Sequence, residues 1–310
     1  MVEVPFKSNQ FDREEHVHRL TMTEPNKQGD FPKPDFAEVQ DFMNIPTTEA
    51  SFVFNNLKEW TQRDDFRTLN NVHSNKSYFY RDDKSTYQGQ YRSGLRDGLG
   101  LEISKKGEIY SGNFVDDFKH GSGRLILQNG SYYEGMFEKG VFEGHGTLTD
   151  KNNGFKYTGH WYRNMRHGFG TETKDDYLYR GEFVKGVKEG QGKWKMPDNA
   201  HYSGGFKNDK ISGSGIYTFG DNSKFKCYRG EWVDNQMHGQ GSLEYKDGKV
   251  YTGDFVNGKF EGTGNLEVPE KGRYSGSFKA GKMDGVIQFF PVKGNVKRLR
   301  FSEGVENKGK

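Results

Sequence analysis

From Tyr87 onward the chain alternates ring or glycine positions with polar ones, two residues at a time. Tyr87-Gln88-Gly89-Gln90-Tyr91 puts two rings and a glycine on one side of an extended strand and two amides on the other. The same Tyr-x-Gly-x-aromatic run carries Tyr87 and Gly89, Tyr110 and Gly112, Tyr133 and Gly135, Tyr157 and Gly159, Tyr179 and Gly181, Tyr202 and Gly204, Tyr228 and Gly230, Tyr251 and Gly253, and Tyr274 and Gly276. Successive tyrosines are 23, 23, 24, 22, 23, 26, 23 and 23 residues apart. Glycine between two rings leaves a slot that a neighbouring ring can fill, at some loss of strand propensity. Each run is followed by Gly-x-Gly, from Gly98/Gly100 to Gly262/Gly264; the ninth keeps Gly285 and has Ile287 in place of the second glycine. A second alternating stretch comes next, such as Leu125/Leu127, Trp194/Met196 or Leu243/Tyr245. Turn sequences such as Lys246-Asp247-Gly248 close it. Each period therefore predicts one β-hairpin, apolar on one face and solvated on the other.

This register resembles the MORN repeat (membrane occupation and recognition nexus), and the resemblance covers residues 87–287. His-Gly-x-Gly, the family's commonest form of the second motif, stands here at His120, His167 and His238. Two departures are the longer period after Tyr202, which predicts a longer turn near Asp221–Lys226 and puts Cys227 in the insertion as an ordinary thiol, and the missing ninth glycine.

The expected fold is all-β: an elongated, twisted antiparallel meander of about nine to ten hairpins, with an extended N-terminal arm containing one short helix. At about 4.8 Å per strand, nine hairpins span on the order of 90 Å. Stability in such an array accrues between neighbours, and its ends need caps. Tyr78-Phe79-Tyr80 falls where the second strand of a preceding unit would lie, and Lys297–Phe301 falls 23 residues after Tyr274. The charges of the latter would discourage pairing with another chain.

Three regions follow: an acidic arm over 1–75, the repeat array over 76–290, and a degenerate capping strand with a basic tail over 291–310. The arm is extended where Pro25, Pro32, Pro34 and Pro46 fall, then Thr47-Thr48-Glu49 reads as a helix start. A helix over 48–63 would align Val53, Leu57 and Trp60 on one side. It is too short to stand alone, so it docks either on its own sheet or on another protein.

Composition alters the picture in one respect. Hydrophobic residues are only 31% and mean hydropathy is -1.00, which first suggests disorder. Aromatics at 15% argue otherwise, and 38 of the 42 glycines lie between Gly89 and Gly285. The low hydrophobicity fits a thin sheet with little interior. A net charge of +3 is too small for a dedicated nucleic-acid binder. The arm carries 8 basic and 13 acidic residues, whereas 291–310 is basic, so the two can pair within one chain or across two copies.

No catalytic, cofactor or metal residues are expected. Gly253–Lys259 and Gly276–Lys282 imitate a phosphate-binding loop, but Phe260 and Met283 stand where it needs Ser or Thr. The repeat histidines are expected to bond nearby backbone, and Glu15-His16-Val17-His18 reads as a solvated run. The N-terminus opens on no apolar run, which predicts an intracellular protein without a secretory leader. The basic cluster Lys293, Lys297, Arg298 and Arg300 is the candidate contact for anionic lipid or a partner.

The resemblance implies a non-enzymatic scaffold whose partners are other protein subunits of a large assembly. MORN arrays without a catalytic domain are typical of cytoskeletal and ciliary assemblies, including radial-spoke heads, so the implied location is a ciliary axoneme. The alternatives are a peripheral adaptor on acidic phospholipids and an accessory subunit of another large complex.

Overall fold

The computed structural model describes residues 78–82 and 85–307. Among these every regular element is a strand. The chain divides into two compact segments that part between Met165 and Arg166. The first contains β1 (Tyr78–Asp82), β2 (Ser85–Arg92), β3 (Leu95–Ile103), β4 (Ile109–Val115), β5 (Phe118–Ile126), β6 (Tyr132–Glu138), β7 (Val141–Asp150) and β8 (Phe155–Tyr162). The second contains β9 (Met165–Lys174), β10 (Tyr177–Val184), β11 (Val187–Lys195), β12 (His201–Lys207), β13 (Lys210–Thr218), β14 (Phe225–Val233), β15 (Gln236–Tyr245), β16 (Val250–Val256), β17 (Lys259–Val268), β18 (Gly272–Lys279), β19 (Lys282–Pro291), β20 (Lys297–Ser302) and β21 (Val305–Glu306). Within each segment every strand pairs antiparallel with the next in sequence, so both are all-β meanders.

The two glycines of Gly-x-Gly do different work. The first, such as Gly98 (φ 96°) or Gly121 (φ 61°), takes a left-handed backbone, which a side chain would strain. It lies beside a β-bulge that recurs between the glycine and the second aromatic of the preceding strand, as between Gly89 and Tyr91 or Gly112 and Asn113. The second glycine has an ordinary backbone but no room. A Cβ on Gly100 would overlap the ring of Tyr87, and one on Gly123 the ring of Tyr110.

The glycine between the rings is closed in from two directions. A Cβ on Gly135 would overlap both the Cα of Gly146 across the hairpin and the hydroxyl of Tyr133. Gly181, Gly204 and Gly230 meet the same two obstacles, from Tyr179 and Gly192, Tyr202 and Gly215, and Tyr228 and Gly241. Gly159 faces Gly146 from the other side, on β8. The slot expected from the alternation is therefore filled, and not by a ring of the next hairpin.

The ring that fills the slot is the tyrosine of the same hairpin. It lies flat across two glycines, and its hydroxyl donates to the backbone carbonyl three residues on. Tyr87 reaches Gln90 at 3.0 Å, Tyr110 reaches Asn113 at 2.9 Å and Tyr251 reaches Asp254 at 3.1 Å. In each segment these tyrosines build the core, Tyr110 being 1% and Tyr251 0% exposed. Several meet a ring of their own strand and one of the next repeat edge-to-face. Tyr110 has Phe114 at 5.1 Å and Phe137 at 5.0 Å, and Tyr228 has Trp232 and Phe255 both at 5.0 Å. Each such pair contributes about 0.5–1.5 kcal/mol beyond its buried area.

Hairpin turns also join neighbours. Asp116-Asp117 and Asp234-Asn235 have two successive positive φ angles, the geometry that matches strand twist in a two-residue turn. The second turn residue donates its N–H to a carbonyl one repeat earlier, Asp117 to Arg96 at 3.0 Å and Asn235 to Ile211 at 3.0 Å. Its side chain accepts in return from Arg96 N (2.8 Å) and Ile211 N (2.7 Å).

Both ends continue the register. Tyr80 lies opposite Tyr87. Phe301 lies opposite Gly285 as Phe278 lies opposite Gly262, so Lys297 occupies the tyrosine position of a tenth repeat. The long period after Tyr202 forms a turn over 219–224. Cys227 is not in that turn: it is buried within β14 opposite Thr218, and burial, the largest influence, raises its pKa. The expected helix over 48–63, with Val53, Leu57 and Trp60, and Glu15-His16-Val17-His18 lie outside the described residues.

Candidate functional site: the solvated face and the C-terminal edge

The buried face offers no accessible chemistry. Its carboxylates include Asp150, which accepts from Ser131 Oγ at 3.0 Å and Asn152 N at 2.9 Å, and Glu102 and Glu172, fifteen residues after Tyr87 and Tyr157. Glu102 pairs with Arg96 at 2.6 Å and Lys119 at 2.5 Å. Glu172 pairs with Arg166 and, at 2.9 Å, with Lys188, and accepts from the Tyr177 hydroxyl at 2.9 Å. Burial acts to raise both pKa values, but the flanking cations outweigh it and hold both below the ordinary carboxylate range. The same cations lie over rings: Arg96 is 5.0 Å from Phe114, Arg166 5.0 Å from Phe183 and Lys188 5.1 Å from Tyr179. Each glutamate has two cationic partners, which is a structural arrangement.

On the opposite face, several polar side chains that read as solvated are structural too. The residue between glycine and the second aromatic reaches across the bulge to the N–H in the middle of Gly-x-Gly. Gln90 accepts from Leu99 N at 2.8 Å, Glu182 from Gln191 N at 3.0 Å and Asp254 from Thr263 N at 2.8 Å. The signal was an acceptor recurring at that position, visible only once the bulge aligned it with the glycine motif.

The residues that remain available on this face are apolar more often than the alternation implied. Five residues after the repeat tyrosine stand Val115, Val184, Val233 and Val256, between 37% and 49% exposed. Phe118, across the turn from Val115, and Leu95, across the turn from Arg92, are exposed as well, and Phe169 reaches 59%. In the second segment this face also holds an open depression of about 540 Å³ lined by Gln191, Ser203, Ser214, Ile216, Arg229 and Glu231.

The C-terminal basic cluster straddles the turn after β19. Lys293 lies in that turn, and Lys297, Arg298 and Arg300 are exposed on β20. Strand alternation sends Arg298 and Arg300 to the solvated face and Lys297 to the other, with Leu299 and Phe301. Val292 (65%) and Val296 (58%) flank the cluster as exposed apolar side chains that the sequence reading did not single out.

His120 and His238 sit opposite Asn113 and Glu231 in their hairpins. The expected backbone bond is missing at His238, whose Nδ1 is buried without a hydrogen-bond partner. Its carbonyl, not its ring, is the bonded group, accepting from Tyr228 at 3.2 Å. Among the described residues no three His, Cys, Asp or Glu side chains come together as a metal site, and no helix is long and apolar enough to cross a membrane.

Comparison with known proteins agrees with this geometry. The chain is 34% identical over 95 residues to MORN repeat-containing protein 3 of Xenopus laevis, a match covering 30% of this chain and 32% of that protein. It is 33% identical over 101 residues to human Alsin, covering 30% of this chain and 6% of Alsin. The match to human ALS2 C-terminal-like protein is 35% over 74 residues, 23% of this chain and 8% of the relative. The matches thus span a third or less of these relatives. Among solved structures, the SAS-4 (dCPAP) TCP domain in complex with a proline-rich motif of Ana2 (dSTIL) of Drosophila melanogaster aligns at 11% identity. That alignment covers 59% of this chain and 86% of the other, with a TM-score of 0.28. The MORN repeat profile matches at 87–109, 110–132, 133–155, 157–178, 179–201, 202–224, 228–250, 251–267 and 274–286. The nine matches fall on the nine tyrosine-led hairpins and cover more than half of the chain, which belongs to the MORN repeat family.

Proposed function

We propose that this chain is a non-enzymatic scaffold that docks other protein subunits of a large assembly along the solvated face of its hairpins. MORN repeats generally mediate protein or lipid interactions. The observation that favours protein docking is the recurrence of Val115, Val184, Val233 and Val256 at one register position with their side chains in water. A single exposed valine is ordinary, but one register position that is valine in four of nine repeats, with Tyr162 exposed at the same position of a fifth, is a recurring apolar feature. The first assembly to test is the ciliary axoneme, in a radial-spoke-like role. Tagged protein at native level in ciliated cells would be purified and its partners identified by mass spectrometry, alongside a variant with all four valines changed to lysine. Axonemal subunits should co-purify with the unmodified chain and be lost from the variant. Equal recovery by both would overturn the docking row, and recovery of an unrelated assembly would overturn the axonemal role. Removing 1–75 in the same assay asks whether Val53, Leu57 and Trp60 take part: unchanged partners would make that helix an intramolecular cap.

A second reading rests on a separate observation, the exposed Val292 and Val296 set among Lys293, Lys297, Arg298 and Arg300. Basic side chains around apolar anchors are what anionic membrane surfaces attract. Flotation with phosphatidylserine vesicles should then show salt-sensitive binding that charge reversal at Lys297, Arg298 and Arg300 removes. No binding at low salt would end this reading.

A further inference from the structure

On the solvated face of the first segment, β7 and β8 bring His145 directly opposite His160. His145 is the middle residue of Gly144-His145-Gly146, a position filled in the other hairpins by Leu99, Ser122, Phe169, Gln191, Ser214, Gln240, Thr263 and Val286. His160 stands at the position where Gln90, Glu182 and Asp254 hold the bulge. Both rings are exposed. Their centroids are 5.7 Å apart with planes at 87°.

Directly opposed residues in an antiparallel pair project side chains to the same face from Cβ atoms about 4.5–5.5 Å apart. Two imidazoles on one metal ion bond at about 2.0–2.1 Å, which places their centroids roughly 5.2 Å apart at a tetrahedral angle. The observed separation is within about half an ångström of that figure; the rings stand edge-to-face, and turning a nitrogen of each toward one ion takes side-chain rotations that two exposed rings are free to make. The strands fix the backbone spacing.

We propose that His145 and His160 form a two-imidazole site for a late first-row transition-metal dication, with zinc and copper as the class. Imidazole nitrogens suit these ions, and copper(II) binds above zinc in the usual order. Two protein ligands leave coordination positions open to water. The next pair on the same face, Thr147 and Thr158, bond to each other at 3.0 Å. Met136, exposed on the strand before, has its sulfur 3.4 Å from the Ser122 hydroxyl, so the thioether is directed away from the pair.

The test is isothermal titration calorimetry of the full chain with zinc chloride and with copper(II) chloride at pH 7.5. The control variants are H145T/H160T and H16A/H18A. Threonine at both positions repeats the neighbouring Thr147–Thr158 pair, so the strands keep a compatible side chain. The unmodified chain should bind zinc with micromolar affinity. H145T/H160T should weaken that event at least tenfold, and either single threonine variant nearly as much, because one imidazole cannot chelate. H16A/H18A should leave the same event within twofold. Copper(II) spectra should report two coordinated nitrogens that H145T/H160T removes. Affinity unchanged in H145T/H160T, or lost in H16A/H18A instead, overturns the proposal, as does an absence of binding up to millimolar zinc.

Discussion

The same place in the repeat is filled in two opposite ways. Nine residues after the tyrosine, the hairpins of Tyr133 and Tyr251 carry Phe142 and Phe260, each stacked on its tyrosine at 3.7 Å. The hairpins of Tyr87 and Tyr157 carry Arg96 and Arg166, each bonded to a glutamate fifteen residues after the tyrosine. Where the cation stands, the carboxylate stands too, and a second cation follows one repeat later at Lys119 or Lys188. Where the ring stands, the fifteenth position is Leu148 or Leu266. The tyrosine frame thus tolerates either an aromatic lid or a charged one, provided that the charge is closed.

The largest test breaks one charged lid. Glu102→Leu takes from Arg96 and Lys119 the carboxylate they share, leaving Arg96 with Asp117 at 3.2 Å, and loss of one partner from a buried ionic cluster costs up to about 3–5 kcal/mol. Denaturant unfolding should show that loss. The combined variant R96M/E102L/K119M should recover most of it or exceed the unmodified chain, because an apolar filling removes the desolvation cost. If the triple variant were as unstable as Glu102→Leu, the equivalence of the two lids would fail.

Next in size is Phe142→Ala in the aromatic lid, expected to cost about 3–5 kcal/mol if the site cannot collapse, and less if Tyr133 and Trp161 close in. The frame itself is probed by Gly146→Ala, whose Cβ would overlap the Tyr133 ring. Overpacking of that kind costs about 1–3 kcal/mol. Gly94→Ala, with φ 83° and nothing near the new methyl, should cost about 1–2 kcal/mol from backbone strain alone. Equal losses at the two glycines would mean that the tyrosine moves aside freely.

The smallest effect is in pH dependence. Glu102 and Glu172 have folded pKa values below their unfolded ones. Their contribution is complete above the unfolded pKa near 4.3 and is lost as pH falls through the lower folded values. Thermal unfolding between pH 6 and pH 3 should therefore fall more steeply for the unmodified chain than for R96M/E102L/K119M. Parallel curves would remove Glu102 from the acid response.

The ninth repeat shows how far the pattern could be read. Ile287 in place of glycine was legible as a departure, and its consequence was not. The isoleucine takes the space beside Gly276, and Tyr274 stacks on Phe289 at 4.4 Å while keeping partial exposure. The hairpins, their register and the aromatic face were legible because each depends on neighbours two residues apart or on one turn. The valine row was missed for a related reason. Val115 looks like any strand valine until the hairpin shows that it faces away from the rings.

Taken alone, the amino-acid sequence determined the period, the hairpin, the two glycine positions and which face carries the rings, since period-two alternation and turn chemistry act locally. Tertiary structure alone decided which ring covers which glycine, why Arg96 can be buried, which polar side chains hold the bulge, and that His145 meets His160. Those outcomes join residues from nine to more than twenty positions apart, and cross-strand register, with a bulge in each hairpin, brings them together.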